Sequence, residues 1–158
     1  MSAEDLKSKL QEKLTGKVAI LCVGSRSRGD DMFGPLVARR IGGKVAAEVI
    51  DAENVPENYL GKIAKLAPDV VLLIDSAHFG GQAGEIRLLD PQELNESSFS
   101  THSASLKLIE QYFQAQCQSK VMLLGAQPKQ VRFGQPPSKE MIGAVEQVSQ
   151  LLMDILGD

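Results

Sequence analysis

The sequence predicts a single α/β domain: a twisted, mostly parallel five-stranded sheet with helices on both faces. Three observations predict it. Residues 18–23 and 70–74 are unbroken apolar runs, which fit strands covered on both faces, as in a parallel sheet. Helical patterns alternate with these and other strand-like runs along the whole chain. The 158 residues suit one domain and suffice for a sizeable core.

Each element has its own signal. Leu6, Leu10 and Leu14 recur every four residues among lysines and acids, so residues 2–14 read as a short amphipathic helix ended by Thr15 and Gly16. This gives a helical extension over residues 1–16 and an α/β domain over 17–158. The first strand stops at Gly24. After a loop, Phe33, Leu36, Val37 and Ile41 fall at helical spacing, with Pro35 in the first turn and Gly42-Gly43 as the stop. A second strand is expected over 45–50 and a short helix over 57–66. The third strand ends on Asp75. Residues 85–89 alternate polar and apolar, as a half-exposed edge strand does. A helix is expected from 103 to 115, a last strand over 120–125, and a long final helix capped by Ser138.

Composition excludes several classes. A net charge of -3 and a sequence pI near 5.4 argue against a nucleic-acid partner. No apolar run approaches the roughly 20 residues of a membrane span. The first residues carry acids and no apolar signal core, so a cytoplasmic location is expected. Cys22 and Cys117 read as free thiols in a reducing compartment.

Three residues stand at comparable places. Asp31 follows the first strand, Asp75 closes the third, and His102 opens a helix after a strand and loop. In a parallel sheet such positions converge on the carboxyl edge, where sites form. Two carboxylates and an imidazole suit a divalent metal with positions left open. Each also has a plain structural reading: Asp31 as a helix cap, Asp75 as a turn residue, His102 near an N-cap. His78, three residues past Asp75, competes as an imidazole or is an ordinary loop histidine. The loop after the first strand is neither a dinucleotide fingerprint nor a phosphate loop. Arg26 stands where the second glycine belongs, and Asp30-Asp31 replaces Lys-Ser/Thr.

Six blocks carry a family resemblance. The first is the spaced block I-L-C-V-G…G-D-D…G-P-L near the start; the others are V-P-E-N at 55–58, L-L-I-D-S-A at 72–77, G-E-I-R-L-L-D-P at 84–91, S-T-H-S-A-S-L at 100–106 and L-L-G-A-Q-P at 123–128. In this order they resemble the nickel–iron hydrogenase maturation proteases, most closely the hydrogenase-3 branch. The resemblance implies removal of a short C-terminal peptide from the hydrogenase large-subunit precursor after nickel insertion. It implies that Asp31, Asp75 and His102 bind the metal. The nickel is supplied by the substrate, with no tightly bound intrinsic cofactor expected. Two positions depart from the family pattern: Ser25 where Asn is usual, and Met32 where Gly is usual.

On this reading Asp31 and Asp75 are the catalytic carboxylates, with Asp31 or its neighbour Asp30 accepting a proton from water. Arg26, Arg28 and His78 are expected to contact the precursor, Arg26 and Arg28 by directed pairing with carboxylates or carbonyls. Two alternatives use the same residues: a metal-dependent hydrolase of small molecules, and a maturation factor that binds the nickel site without cutting.

Overall fold

The computed structural model describes residues 2–90 and 103–157. In chain order the elements are α1 (Ala3–Lys13), β1 (Val18–Val23), α2 (Phe33–Ile41), β2 (Glu48–Glu53), α3 (Leu60–Leu66), β3 (Val70–Ser76), β4 (Ile86–Leu89), α4 (Ser103–Cys117), β5 (Lys120–Ala126) and α5 (Lys139–Leu156). Short 3-10 turns at Gly29–Met32 and Pro56–Tyr59 precede α2 and α3.

The five strands lie in the order β2-β1-β3-β5-β4. All neighbouring pairs are parallel except β4 with β5. Strand alternation divides the core. Val18, Ile20, Cys22, Leu72, Ile74, Met122 and Leu124 face a layer of α1, α2 and α5. Ala19, Leu21, Val23, Val71, Leu73, Val121 and Leu123 face α3 and α4. The expected fold class is the observed one.

The second strand lies later than the apolar run 45–50 suggests. It spans Glu48–Glu53, with Glu48 and Glu53 exposed at its ends and Asp51 half-buried and paired with Arg26. As an edge strand it leaves its two ends to solvent, and charge is tolerated there. Val45 instead makes an isolated antiparallel bridge to Gly157. The edge position of 85–89 and the Ser138 cap are found as expected; Ser138 Oγ accepts from Met141 N at 3.2 Å.

The chain leaves β1 for β2 on one side and reaches β3 on the other. The strand order therefore reverses between β1 and β3, and the crevice beyond their carboxyl ends is where such folds place a site. Gly34, in the first turn of α2, closes one wall of that crevice. A Cβ there would come 2.2 Å from the Val23 carbonyl oxygen and 2.8 Å from that of Ile74. Only glycine lets α2 start so close to both strand ends.

Candidate active site

The loop after β1 turns back on itself through main-chain bonds. Gly24 has φ +152, and a Cβ on it would meet the Asp31 carbonyl oxygen at 2.1 Å. Ser25 N then donates to that carbonyl at 3.0 Å and to Asp31 Oδ2 at 3.1 Å. The second carboxylate oxygen, Oδ1, accepts from Ser76 Oγ at 3.0 Å. Asp31 is buried, and the two donors fix its orientation. Because Ser25 serves Asp31 through its backbone, the departure from Asn leaves this contact unchanged; its hydroxyl lies 3.2 Å from that of Ser27.

Ser76 is the last residue of β3, so its bond to Asp31 draws the first loop onto the end of that strand. Asp75, the residue before it, is fully buried and in register with Gly125 of β5. By alternation Asp75 shares its face with Leu73 and Ala77, toward α3 and α4. Asp31 therefore reaches the carboxyl edge over the α2 face, and Asp75 reaches it over the α4 face.

His102 lies outside the described residues. Among the described residues, no cluster of three or more His, Cys, Asp or Glu side chains is arranged to hold a metal ion. The following helix, α4, has its C-terminal end at the amino edge of the sheet. There Gln114 Nε2 donates to Ser119 O at 2.9 Å and Ser119 Oγ to Pro68 O at 2.6 Å. At 15 residues, about 22 Å long, α4 runs back the length of the strands toward their carboxyl ends.

Asp30 is not placed as a proton acceptor. Its carboxylate accepts from Lys129 N at 2.7 Å, Ser138 N at 2.6 Å and Ser138 Oγ at 2.8 Å, and it is fully buried. Three donors engage it structurally and tie the turn carrying Asp31 to the segment 129–138. Main-chain bonds reinforce the tie: Asp30 N to Gln130 O at 2.9 Å, Gly29 N to Gln135 O at 3.0 Å and Gly134 N to Ser27 O at 2.8 Å.

His78 stands at the rim, exposed, with Nδ1 at 3.3 Å from Gln127 Nε2. Gln127 Oε1 accepts from Phe79 N at 2.9 Å and Gly81 N at 3.2 Å, which sets the amide's orientation. Its Nε2 is then the donor to His78 Nδ1, so the neutral ring carries its proton on Nε2. The sequence assigns Gln127 no role; its signals there are its place just after an apolar strand and within the L-L-G-A-Q-P block.

The two arginines differ. Arg26 Nη2 lies 2.5 Å from Asp51 Oδ2 and its Nε 3.6 Å from Glu53 Oε1, although 65% of its side chain is exposed. Arg28 is exposed and has no ion pair among the described residues. Met32 is half-buried and lines a groove between α2 and β2.

Cys22, fully buried in β1, has its thiol pushed far up from the usual range by burial first, then by the negative charges of Asp51 and Asp75. It cannot serve as a nucleophile at neutral pH.

The site thus offers carboxylate oxygens at a strand-order reversal, which suit a hard or borderline cation or an activated water. A hydrogenase maturation protease family model matches residues 36–155. The hydrogenase 3 maturation protease of Escherichia coli K12 is 35% identical over 136 residues, 84% of this chain and 86% of that protein. The crystal structure of a [NiFe] hydrogenase maturation protease HycI from Thermococcus kodakarensis KOD1 superposes with a TM-score of 0.86 at 34% identity, over 94% of this chain and 98% of that one. A crystal structure of a hydrogenase 3 maturation protease gives 0.78 at 34% identity, over 90% and 93%.

Proposed function

The chain belongs to the hydrogenase maturation protease family, and on that premise we propose that it is the endopeptidase that removes a short C-terminal peptide from a nickel–iron hydrogenase large-subunit precursor. The observation that carries this reading is the bond from Ser76 Oγ to Asp31 Oδ1, which joins the first-loop carboxylate to the strand end bearing Asp75. The nickel is part of the substrate: it arrives seated in the precursor, and Asp31, Asp75 and His102 engage it there. Carboxylate and imidazole donors suit that ion.

Asp31 is oriented by Ser25 N and Ser76 Oγ and takes the proton of the attacking water. Water adds to the scissile carbonyl, the C–N bond breaks, and the proton passes to the leaving amine. Asp75 holds negative charge at the end of β3 and sets the geometry of the bound precursor. Arg28 and the Nε2–H of His78 contact the precursor at the rim, with Arg26 beside them. The reaction takes place in the cytoplasm, where an acidic chain without a membrane-spanning helix among its described residues meets its protein substrate.

The test is intact-mass analysis of nickel-loaded and nickel-free precursor after incubation with the protein. Loss of a C-terminal fragment from the loaded form alone is expected. An unchanged mass for both forms rejects the reading.

A further inference from the structure

One groove lies beside the proposed chemistry without taking part in it. Its helix wall is a single stripe of α2 and its cap, formed by Met32, Pro35, Leu36 and Arg39. Its strand wall is Val49 and Asp51, alternate residues of β2. The groove encloses about 620 Å³. Met32 directly follows Asp31, so one end opens at the turn that carries that carboxylate. Among the described strands β2 pairs with β1 alone, which leaves its outer edge of N–H and C=O groups for another extended chain.

The charges in the groove are uneven. Arg26 is held by Asp51 and Glu53. Arg39 has no carboxylate within ion-pair distance among the described residues, although it lines the same groove. A guanidinium left without a partner beside apolar walls is complementary to an anionic group brought by a ligand.

We propose that this groove takes an extended segment of the precursor adjoining the scissile bond, with an acidic side chain on Arg39. The proposal rests on the protease reading and adds the recognition element to it. The main chain of the segment pairs with the outer edge of β2, and alternate side chains pack on Leu36 and Val49. Helix geometry sets the register. Met32 and Arg39 are seven residues apart, about 10 Å at 1.5 Å per residue. Extended chain covers that distance in about three residues at roughly 3.3 Å each. The acid therefore lies about three to four residues from the scissile bond.

The experiment titrates isotopically labelled protein with a synthetic peptide of the precursor's processing site and follows amide shifts. In parallel, kcat and KM are measured on the nickel-loaded precursor for wild type, Arg39→Ala and Arg39→Glu. Both are exposed-residue changes, and their folding is checked by thermal melts. Peptide-dependent shifts are expected along residues 32–42 and 48–53, and lost in Arg39→Glu. KM should rise about threefold in Arg39→Ala and at least tenfold in Arg39→Glu, with kcat little changed. Changing the precursor's acid to Lys should restore KM with Arg39→Glu. Shifts elsewhere, no shifts, or an unchanged KM in Arg39→Glu overturn the groove. Groove shifts with no cleavage by wild type would reject the protease reading and leave the groove standing.

Discussion

Asp30 and Ser138 are joined twice across 108 residues of sequence: Ser138 N donates to Asp30 Oδ1 at 2.6 Å and Ser138 Oγ to Oδ2 at 2.8 Å. The same hydroxyl caps α5 by accepting from Met141 N. The final helix is thereby bolted to the turn that aims Asp31. Asp30 thus holds the turn, which is separate from the catalytic role proposed for its neighbour Asp31.

This separation predicts opposite phenotypes. Asp30→Asn places an amide donor against backbone donors in a buried site and should cost about 2–3 kcal/mol of stability. Its cleavage rate should fall only about tenfold below its melting temperature. Asp31→Asn should cost about 1 kcal/mol and reduce cleavage by roughly a thousandfold or more. Urea unfolding and precursor mass analysis read both. Equal losses of activity in the two variants would contradict the division.

The two histidines should also separate. His102→Ala is expected to abolish processing. His78→Ala removes a rim donor and should raise KM about two- to fivefold, on the order of 0.5–1 kcal/mol, with kcat nearly unchanged. Steady-state kinetics on the nickel-loaded precursor decide it. The reverse ranking would mean that the imidazole held by Gln127 is the essential one.

Arg28 and Arg26 should weaken precursor binding unequally. Arg28 has no ion partner among the described residues, so Arg28→Ala should lower affinity by about 0.5–1 kcal/mol at low salt. The effect should shrink at high salt, where the Debye length falls to about 3 Å at 1 M. Arg26→Ala should have a smaller effect because Asp51 and Glu53 already hold its side chain. Calorimetry at two ionic strengths measures this, and a salt-independent double variant would make both arginines bystanders.

Thiol chemistry gives an independent check on the core. Burial and the charges of Asp51 and Asp75 push the Cys22 thiol up, so almost no thiolate forms there at neutral pH. Cys117 is partly exposed at the end of α4. A disulfide reagent should therefore titrate one thiol in the native protein and two in denaturant. Rapid native labelling of Cys22 would show that β1 opens far more readily than its packing implies.

The parts of the fold legible in the sequence are those set by local pattern. The apolar runs of β1, β3 and β5 fit a doubly covered sheet, and the Ser138 cap and the Pro35 first turn are local chemistry. The second strand lies three residues later than its apolar run, because it continues through Asp51 and Glu53 and its charged end hides the pattern. The Asp30 clamp was hidden for a different reason. Its donors Lys129 and Ser138 lie about a hundred residues away, and nothing in a G-D-D block says which acid faces inward. Ser76 and Gln127 carry no stronger local signal for their roles: the one side-chain bond of Ser76 to Asp31 and the three of Gln127 to Phe79, Gly81 and His78 are made only by tertiary structure.

α1 packs its leucines into the same apolar cluster as Leu151 and Leu152 of α5, and Lys7 lies 3.8 Å from Asp154. Lys139, the first residue of α5, follows Lys13 by 126 positions of chain. At roughly 5–20 residues per second, a ribosome needs on the order of ten seconds to make that stretch. For that interval the nascent chain carries Leu6 and Leu10 on a helix whose α5 partner has not yet been synthesised. Docking of the earliest helix is consequently among the last events of folding, and the nascent chain is open to holding chaperones until α5 emerges.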